Sequence, residues 1–327
     1  MKHIKILKYI NSKIIITSVL VFAVAVMLRW FFKEDIFGQT LKMLAILISS
    51  FYAWRNINNK KWNNYSKGIL IGLATFMFAL LVLKSIDASH SNTRWDFMPF
   101  YVHGLIGINN LPFYDPASFD IVLENFNLLG PVDQDIVVEV FNNGMLYPPI
   151  TMLFFSSLAL FEYETSQILL SALIFIFIIA CSYSLYRLIF KEEKSVFTFL
   201  FVFIIVVKFP GTLGTVGYHQ TNFFLLFFLI LMLSRIGKPI SGIFHAMTIF
   251  FKPITILLIV HTFINKRWKN ILLFSATGVF LVSITGLIWG FENIIDYFIS
   301  SPTSRYSKEL YKQPIIDGSF LQKFKCL

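Results

Sequence analysis

The chain has 327 residues, of which 56% are apolar and only 14% charged, and its formal charge is +10. A water-soluble protein carries roughly 25% charged residues, and with a mean hydropathy of +0.70 much of this surface must face something other than water. That excludes a cytosolic enzyme and a disordered chain; two cysteines, Cys181 and Cys326, exclude a disulfide framework.

A helix needs about 20 apolar residues to cross a bilayer. The first such run is 14–32, preceded by Lys2, Lys5, Lys8 and Lys13. It resembles a signal peptide with Ala23-Val24-Ala25 as a cleavage site, but the run continues to Phe32, so it reads as an uncleaved span. Runs at 39–54 and 68–86 complete an N-terminal three-span region, 1–86. A hydrophilic loop, 87–147, follows. Beyond it, 148–290 forms a membrane bundle with long runs at 166–189 and 270–290. Runs at 195–209 and 221–234 are shorter, and those at 148–161, 240–251 and 253–265 predict half-spanning or re-entrant helices. Residues 291–327 are a polar tail, expected to be truncated. The fold class expected is an all-α polytopic membrane protein, with charge inside the spans nearly confined to Lys252. No internal repeat suggests an inverted-repeat transporter.

Basic clusters set the orientation. With the N-terminus in the cytoplasm, the cluster Arg55, Lys60, Lys61 and Lys67 is inside and 87–147 is outside. If 148–161 dips and returns, Arg187/Lys191/Lys194, Arg235/Lys238 and Lys266/Arg267/Lys269 also fall inside. A full crossing would put the 187–194 cluster outside, so the charge count prefers the dip. The run 240–265 then becomes a hairpin whose turn, Phe250-Phe251-Lys252-Pro253, lies deep in the protein.

The loop 87–147 holds eight carboxylates, among them Asp96 and Asp115, against one Arg94. Loops of this length between spans are usually functional. It opens with Trp95-Asp96-Phe97, then Tyr101 and His103. A carboxylate partly buried among aromatics becomes a better proton acceptor. A helix starting near Arg94 would set Asp96 and His103 on one face, two turns apart. Two readings fit: a general base with an aromatic platform for a sugar, or an interfacial anchor belt. Asp115-Pro116 reads first as a helix cap, followed by the apolar stripe Ile121, Val122, Leu123 and Phe126. Tyr147-Pro148-Pro149 enters the dipping segment, Tyr147 serving as an anchor or as part of a site wall. In Gly211–Asn222 the glycines allow tight turns. His219, Gln220 and Asn222 stand at the head of the next helix, where a phosphate or sugar hydroxyl is favoured; an ordinary polar turn is the alternative. Lys252, mid-hairpin, either meets an anion such as a lipid phosphate or snorkels to water.

The chain has no Walker A loop, no HExxH, no CxxC, no GxSxG and no cytosolic DxD, which argues against a cytosolic nucleotide-sugar enzyme. The order of the motifs that are present resembles the GT-C-fold integral-membrane glycosyltransferases. More specifically, it is similar to glycosyltransferase family 87, the polyprenol-phosphate-mannose-dependent alpha-mannosyltransferases. The residues that carry the likeness are Asp96-Phe97 with Tyr101, Asn109 to Asp115, Tyr147-Pro148-Pro149, Gly217 to Asn222, and Lys252-Pro253 before Arg267-Trp268-Lys269. Two spans, 14–32 and 39–54, precede the one that aligns with the family's first. The resemblance implies transfer of a hexose, mannose by family habit, from a polyprenyl-phosphate donor to an acceptor outside the cytoplasmic membrane. Asp96 would be the general base and the lipid phosphate the leaving group, with inversion and without a cofactor or metal. Lys252 and the 217–222 segment would hold the phosphate. The alternatives are a transporter or flippase of lipid-linked saccharide, or a glycan polymerase or ligase.

Overall fold

The computed structural model describes residues 11–31, 36–90, 97–113, 115, 117–118, 121–122, 148–193 and 195–299. Asp96, Tyr147, most of the 87–147 loop and the tail beyond 299 lie outside these residues. Among the described residues every regular element is helical. The medium explains this: hydrocarbon offers backbone amides no water, so long apolar runs satisfy their own N–H and C=O groups as helix.

The first half of the chain gives α1 (Ser12–Phe31), α2 (Ile36–Arg55), α3 (Asn63–His90) and α4 (Phe97–Ile108). A 3-10 turn at Pro149–Thr151 leads into α5 (Met152–Ala159), followed by α6 (Tyr163–Ile189), α7 (Val196–Lys208), α8 (Pro210–Gly217) and α9 (Asn222–Ser234). Then come α10 (Ser241–Phe251), a 3-10 turn at Pro253–Leu257, α11 (Leu258–Ile264), α12 (Trp268–Trp289) and α13 (Phe291–Ile299). Each short or long run expected from the sequence is a helix within a few residues of its expected ends.

Among the described residues four helices, α1, α3, α6 and α12, are long and apolar enough to cross a membrane, and α7 with α8 makes a fifth if that bent pair is one span. Only 6% of the α1 window and 11% of the α12 window are buried in protein. Leu287, Leu272 and Val279 of α12 are 79%, 69% and 66% exposed. In water each such side chain would forgo roughly 1.5–3 kcal/mol of burial. Whole helices turned outward in this way belong in lipid, and the chain is a multi-pass membrane protein.

Two expectations need correcting. The Gly-rich segment after α7 is not a turn but the helix α8, bent 68° from α7. Phe209 is extended at φ −57°, ψ 130°, as residues before proline tend to be. Pro210 then starts a new helix, where its missing N–H costs nothing. Charge inside the helices also extends beyond Lys252: Lys42 lies in α2, Lys84 in α3 and Lys208 closes α7. A hydropathy window averages over such single residues.

The chain divides into two compact units, one of 1–97 and 164–274, the other of 98–163 and 275–327. In the first unit α3 is the central post, with α1, α2, α7 and α8 packed on it. Gly68 and Gly72 of α3 form a GxxxG stripe that lets the α1 backbone approach. A Cβ at Gly68 would lie 2.6 Å from Thr17 Cβ, and one at Gly72 would lie 2.6 Å from Ser18 O. Ser18 Oγ donates to Gly68 O at 3.1 Å across the crossing. At the other end of α2, Trp54 stacks on Phe201 of α7 at 4.9 Å, and its Nε1 donates to Thr198 Oγ1 at 3.1 Å. Thr198 in turn donates to the Glu193 carboxylate.

In the second unit α4 lies against α5. Gly104 makes the contact possible, since a Cβ there would meet Phe155 O at 2.6 Å. Phe100 stacks on Phe155 at 4.2 Å. Trp289 Nε1 donates to Gly107 O at 2.8 Å, and Asn293 Oδ1 accepts from the Phe113 amide at 3.0 Å. Asp115 Oδ1 accepts from the Ala117 amide at 3.0 Å, the kind of bond expected of a cap. The Pro149–Ala159 segment is about 16 Å long at 1.5 Å per residue, half the hydrocarbon thickness.

Candidate functional site

The site is assembled in the first unit, where α9 and α10 run antiparallel and side by side. The link between α8 and α9 forms one wall. His219 sits at φ +53°, a left-handed conformation uncommon for a residue with a side chain and often found where function demands it. Its ring is buried, 3% exposed, and Nε2 shares a 2.8 Å hydrogen bond with Ser171 Oγ of α6. Burial lowers its pKa below the ordinary histidine value, so the imidazole is neutral at pH 7 and the bond joins two uncharged groups.

Next to it, Asn222 Nδ2 donates to Gln220 Oε1 at 2.6 Å and to Thr215 Oγ1 at 3.1 Å. Both amide hydrogens of Asn222 are thus spent on fixing the link, leaving its oxygen as the group able to accept. The helix α9 begins here with Thr221 as N-cap and no side-chain cap bond. Its N-cap side chain thus leaves the first amides of the helix uncapped.

Lys252 closes α10 in extended conformation, φ −144° and ψ 108°, just ahead of Pro253. A polar knot holds the turn. Thr248 Oγ1 donates to Thr255 Oγ1 at 3.0 Å, Thr255 Oγ1 donates to Lys252 O at 2.9 Å, and His245 Nε2 bonds Thr255 O at 3.0 Å. These bonds fix the backbone of a residue whose own side chain is half-buried. Phe251, its neighbour, stacks on Phe224 of α9 at 5.3 Å. That contact brings Lys252 to the end of the helix pair where α9 begins, and so to the same end as His219 and Asn222.

Two further residues reach this end. The Phe97 ring, fully buried, lies 6.2 Å from the His219 ring; Phe97 is the residue that follows Asp96 in the chain. Lys84 of α3 lies beside Gly217, where a Cβ would be 3.0 Å from Lys84 Cε and 3.9 Å from its Nζ. Sequence reasoning passed over Lys84. The signal was present, a lone cation in the last turns of an apolar run, but it resembles an ordinary span boundary. No Asp or Glu occurs between Glu193 and Glu292, so the α8–α11 stretch contributes no carboxylate to this end.

Tyr101 and His103 belong to the second unit and are packed among its helices. Tyr101 is 4% exposed, its hydroxyl donates to Phe161 O at 2.8 Å, and its ring meets Tyr163 edge-on at 5.1 Å. Burial, with Glu162 as the lesser cause, raises its pKa. His103 is 3% exposed and its Nδ1 bonds Pro99 O at 2.6 Å. Burial pulls its pKa down to about 4, against a smaller upward pull from the Pro99 carbonyl. Of the sequence-selected residues, then, His219, Gln220, Asn222 and Lys252 come together in the first unit, Tyr101 and His103 belong to the second, and Asp96 and Tyr147 fall outside the described residues.

No curated protein and no solved structure matches the chain. The family model of glycosyltransferase family 87 matches residues 145–316. That stretch takes in Tyr147, His219, Gln220, Asn222 and Lys252, and begins after Asp96, Tyr101 and His103. It covers more than half of the chain, so the protein belongs to glycosyltransferase family 87 and is a membrane-embedded glycosyltransferase.

Proposed function

We propose that the protein moves a hexose, mannose by family resemblance, from a polyprenyl-phosphate donor to a hydroxyl acceptor on the outer face of the cytoplasmic membrane. The observation that carries this reading is the gathering of Lys252, Lys84, the open start of α9 and the neighbour of Asp96 at one end of the α9–α10 pair. Two cations and a helix N-terminus in apolar surroundings suit a phosphate borne on an isoprenoid. A water-soluble nucleotide donor would not need a phosphate site among lipid-facing helices.

In the proposed step the acceptor oxygen attacks the anomeric carbon as its proton passes to the Asp96 carboxylate. The bond from that carbon to the phosphate oxygen breaks, and the polyprenyl phosphate leaves with the electron pair. Lys252 and Lys84 stabilise the charge that grows on the departing phosphate. Because these fixed charges take up the leaving group, the step does not call for a metal. Attack from the face opposite the phosphate inverts the anomeric centre. His219, Gln220 and Asn222 shape the link that presents α9, and Tyr147 belongs to the wall. The positive-inside pattern supports the outer location: with α2 crossing and 148–161 dipping, the basic clusters that share the cytoplasmic side hold 16 of the 28 Lys and Arg residues.

The test is transfer by the purified full chain in liposomes, offered labelled polyprenyl-phosphate mannose, polyprenyl-phosphate glucose, or the corresponding nucleotide sugars. Lipid-linked label should enter the acceptor glycan with inverted configuration while nucleotide sugar gives none. Transfer from the nucleotide sugar alone would refute the donor assignment.

A further inference from the structure

The end of the α9–α10 pair remote from Lys252 carries a second feature that sugar transfer does not use. There the first unit forms an open-sided cavity of about 230 Å³, larger than the roughly 150 Å³ apolar cavity that accommodates benzene. Met232 and Leu233 of α9, Leu258 of α11 and Phe274 of α12 supply an apolar wall. Its floor is Gly242, where the starts of α10 and α12 meet: a Cβ would stand 2.1 Å from Asn270 O. The cavity reaches from Ser241 to His245, whose Nε2 bonds Thr255 O in the Lys252 turn; its basic border lies at the Ser241 end, eleven residues and about 16 Å of helix from Lys252.

Two basic links border it. Arg235 and Lys238 follow α9, and Lys266, Arg267 and Lys269 surround the start of α12. The links are tied to one another at the cavity. Arg267 Nη1 donates to Ile236 O at 2.8 Å and Asn270 Nδ2 donates to Lys238 O at 3.2 Å; Ile236 and Asn270 both line the cavity. Arg235, Lys238, Lys266 and Lys269 are exposed and Arg267 is half-buried. Five cations thus converge in a stretch of chain that contains no carboxylate. Like charges gathered this way are costly unless an anion from outside joins them. Trp268, 57% exposed and edge-on to Phe263 at 5.2 Å, sits among these cations. An outward tryptophan at a helix start marks the headgroup level of a bilayer.

We propose that this cavity and its basic border form a binding site for an anionic phospholipid, with acyl methylenes in the cavity and the headgroup phosphate held by Arg235, Lys238 and Lys266. Charge complementarity selects the anionic headgroup. The apolar wall selects a phosphate that carries a hydrocarbon chain over a free one. The site does not depend on which donor or sugar the enzyme uses.

The test uses the purified full chain in phosphatidylcholine nanodiscs. Phosphatidylglycerol is titrated in, and phosphatidylcholine of the same chains and inorganic phosphate serve as the other arms. Phosphatidylglycerol should raise the melting temperature saturably and weaken in high salt, while the other two have no effect. Each surface cation near an anionic lipid contributes about a fivefold factor. The triple variant Arg235→Gln, Lys238→Gln, Lys266→Gln should therefore bind phosphatidylglycerol about a hundredfold more weakly, with its melting temperature in phosphatidylcholine unchanged because all three side chains are exposed. The triple variant Arg55→Gln, Lys60→Gln, Lys61→Gln removes as much charge from another link and should bind within twofold of the unaltered chain. Equal weakening by both triples would reduce the effect to diffuse surface attraction and overturn the site. Stabilisation by phosphatidylcholine or by inorganic phosphate to the same extent would overturn it as well.

Discussion

Replacing Lys252 by methionine removes one charge and little else. The backbone bonds that fix the turn, Lys252 N to Thr248 O at 3.0 Å and Thr255 N to Lys252 O at 3.2 Å, survive the change. Methionine has a similar length and suits an apolar neighbourhood, so stability should shift by no more than about 0.5 kcal/mol. Donor binding should respond far more. An ammonium and a phosphate oxygen about 4 Å apart interact by about 4 kcal/mol at an effective dielectric near 20. Lys252 is only half-buried, and water access brings this to about 2 kcal/mol, a factor of about 30 in affinity. The assay is equilibrium binding of labelled polyprenyl-phosphate sugar to the purified chain, with acceptor saturation measured in parallel. Lys252→Met should weaken donor binding about 30-fold and leave acceptor affinity within twofold, and Lys252→Arg should recover most of the loss. Donor affinity unchanged in Lys252→Met would mean that the ammonium snorkels to water and takes no part in holding phosphate.

Asp96→Asn should abolish sugar transfer while insertion and detergent-solubilised yield stay normal; transfer at the original rate would remove Asp96 as the base. Gly104→Ala drives a methyl to 2.6 Å from Phe155 O and should cost about 1–3 kcal/mol, read as a lower melting temperature. Gly214→Ala, with no heavy atom within 4 Å of the new methyl, should instead stabilise α8 by roughly 0.5–1 kcal/mol; a loss there would contradict the helical α8. Acid should destabilise the fold through His103, whose pKa is about 4 when folded and about 6.5 when unfolded. A group with a depressed histidine pKa costs nothing above pH 6.5, and stability falls as the pH drops from 6.5 towards 4, by about 3 kcal/mol in all. His219 shifts in the same direction and adds to the fall. His103→Gln should flatten the melting-temperature profile between pH 6.5 and 4.5, and an unaltered slope would show that His103 is not the group responsible.

The helical runs were legible because one quantity, apolar length, decides them in lipid. Even the broken pieces around 195–217 and 240–265 carry their signature as runs too short to cross. What hydropathy could not convey was the local backbone. The glycines of 211–217 suggested a turn, yet Pro210 restarts a helix and the medium makes an unsatisfied turn expensive, so medium outweighed propensity. Site residues divided along a similar line. Lys252 was legible as a charge in the wrong place. His219 was legible as a polar group at a helix head, though its bond to Ser171 of α6 was not, since nothing in sequence links positions so far apart. Lys84 was hidden by its likeness to a boundary lysine. Tyr101 and His103 read as a sugar platform because aromatic and imidazole groups serve packing and recognition equally well; their bonds to Phe161 O and Pro99 O were not legible in sequence.

The claim on which the account most depends is that the link following α3 meets the donor outside the cytoplasm. Single cysteines test it directly in a chain with Cys181 and Cys326 replaced by serine. Asn109 and Asn58 are both exposed, one after α4 and the other between α2 and α3. In intact cells a membrane-impermeant maleimide should label Asn109→Cys and leave Asn58→Cys unlabelled until the membrane is opened. Labelling of Asn58→Cys in intact cells, with Asn109→Cys protected, would put the loop in the cytosol and contradict the proposed chemistry.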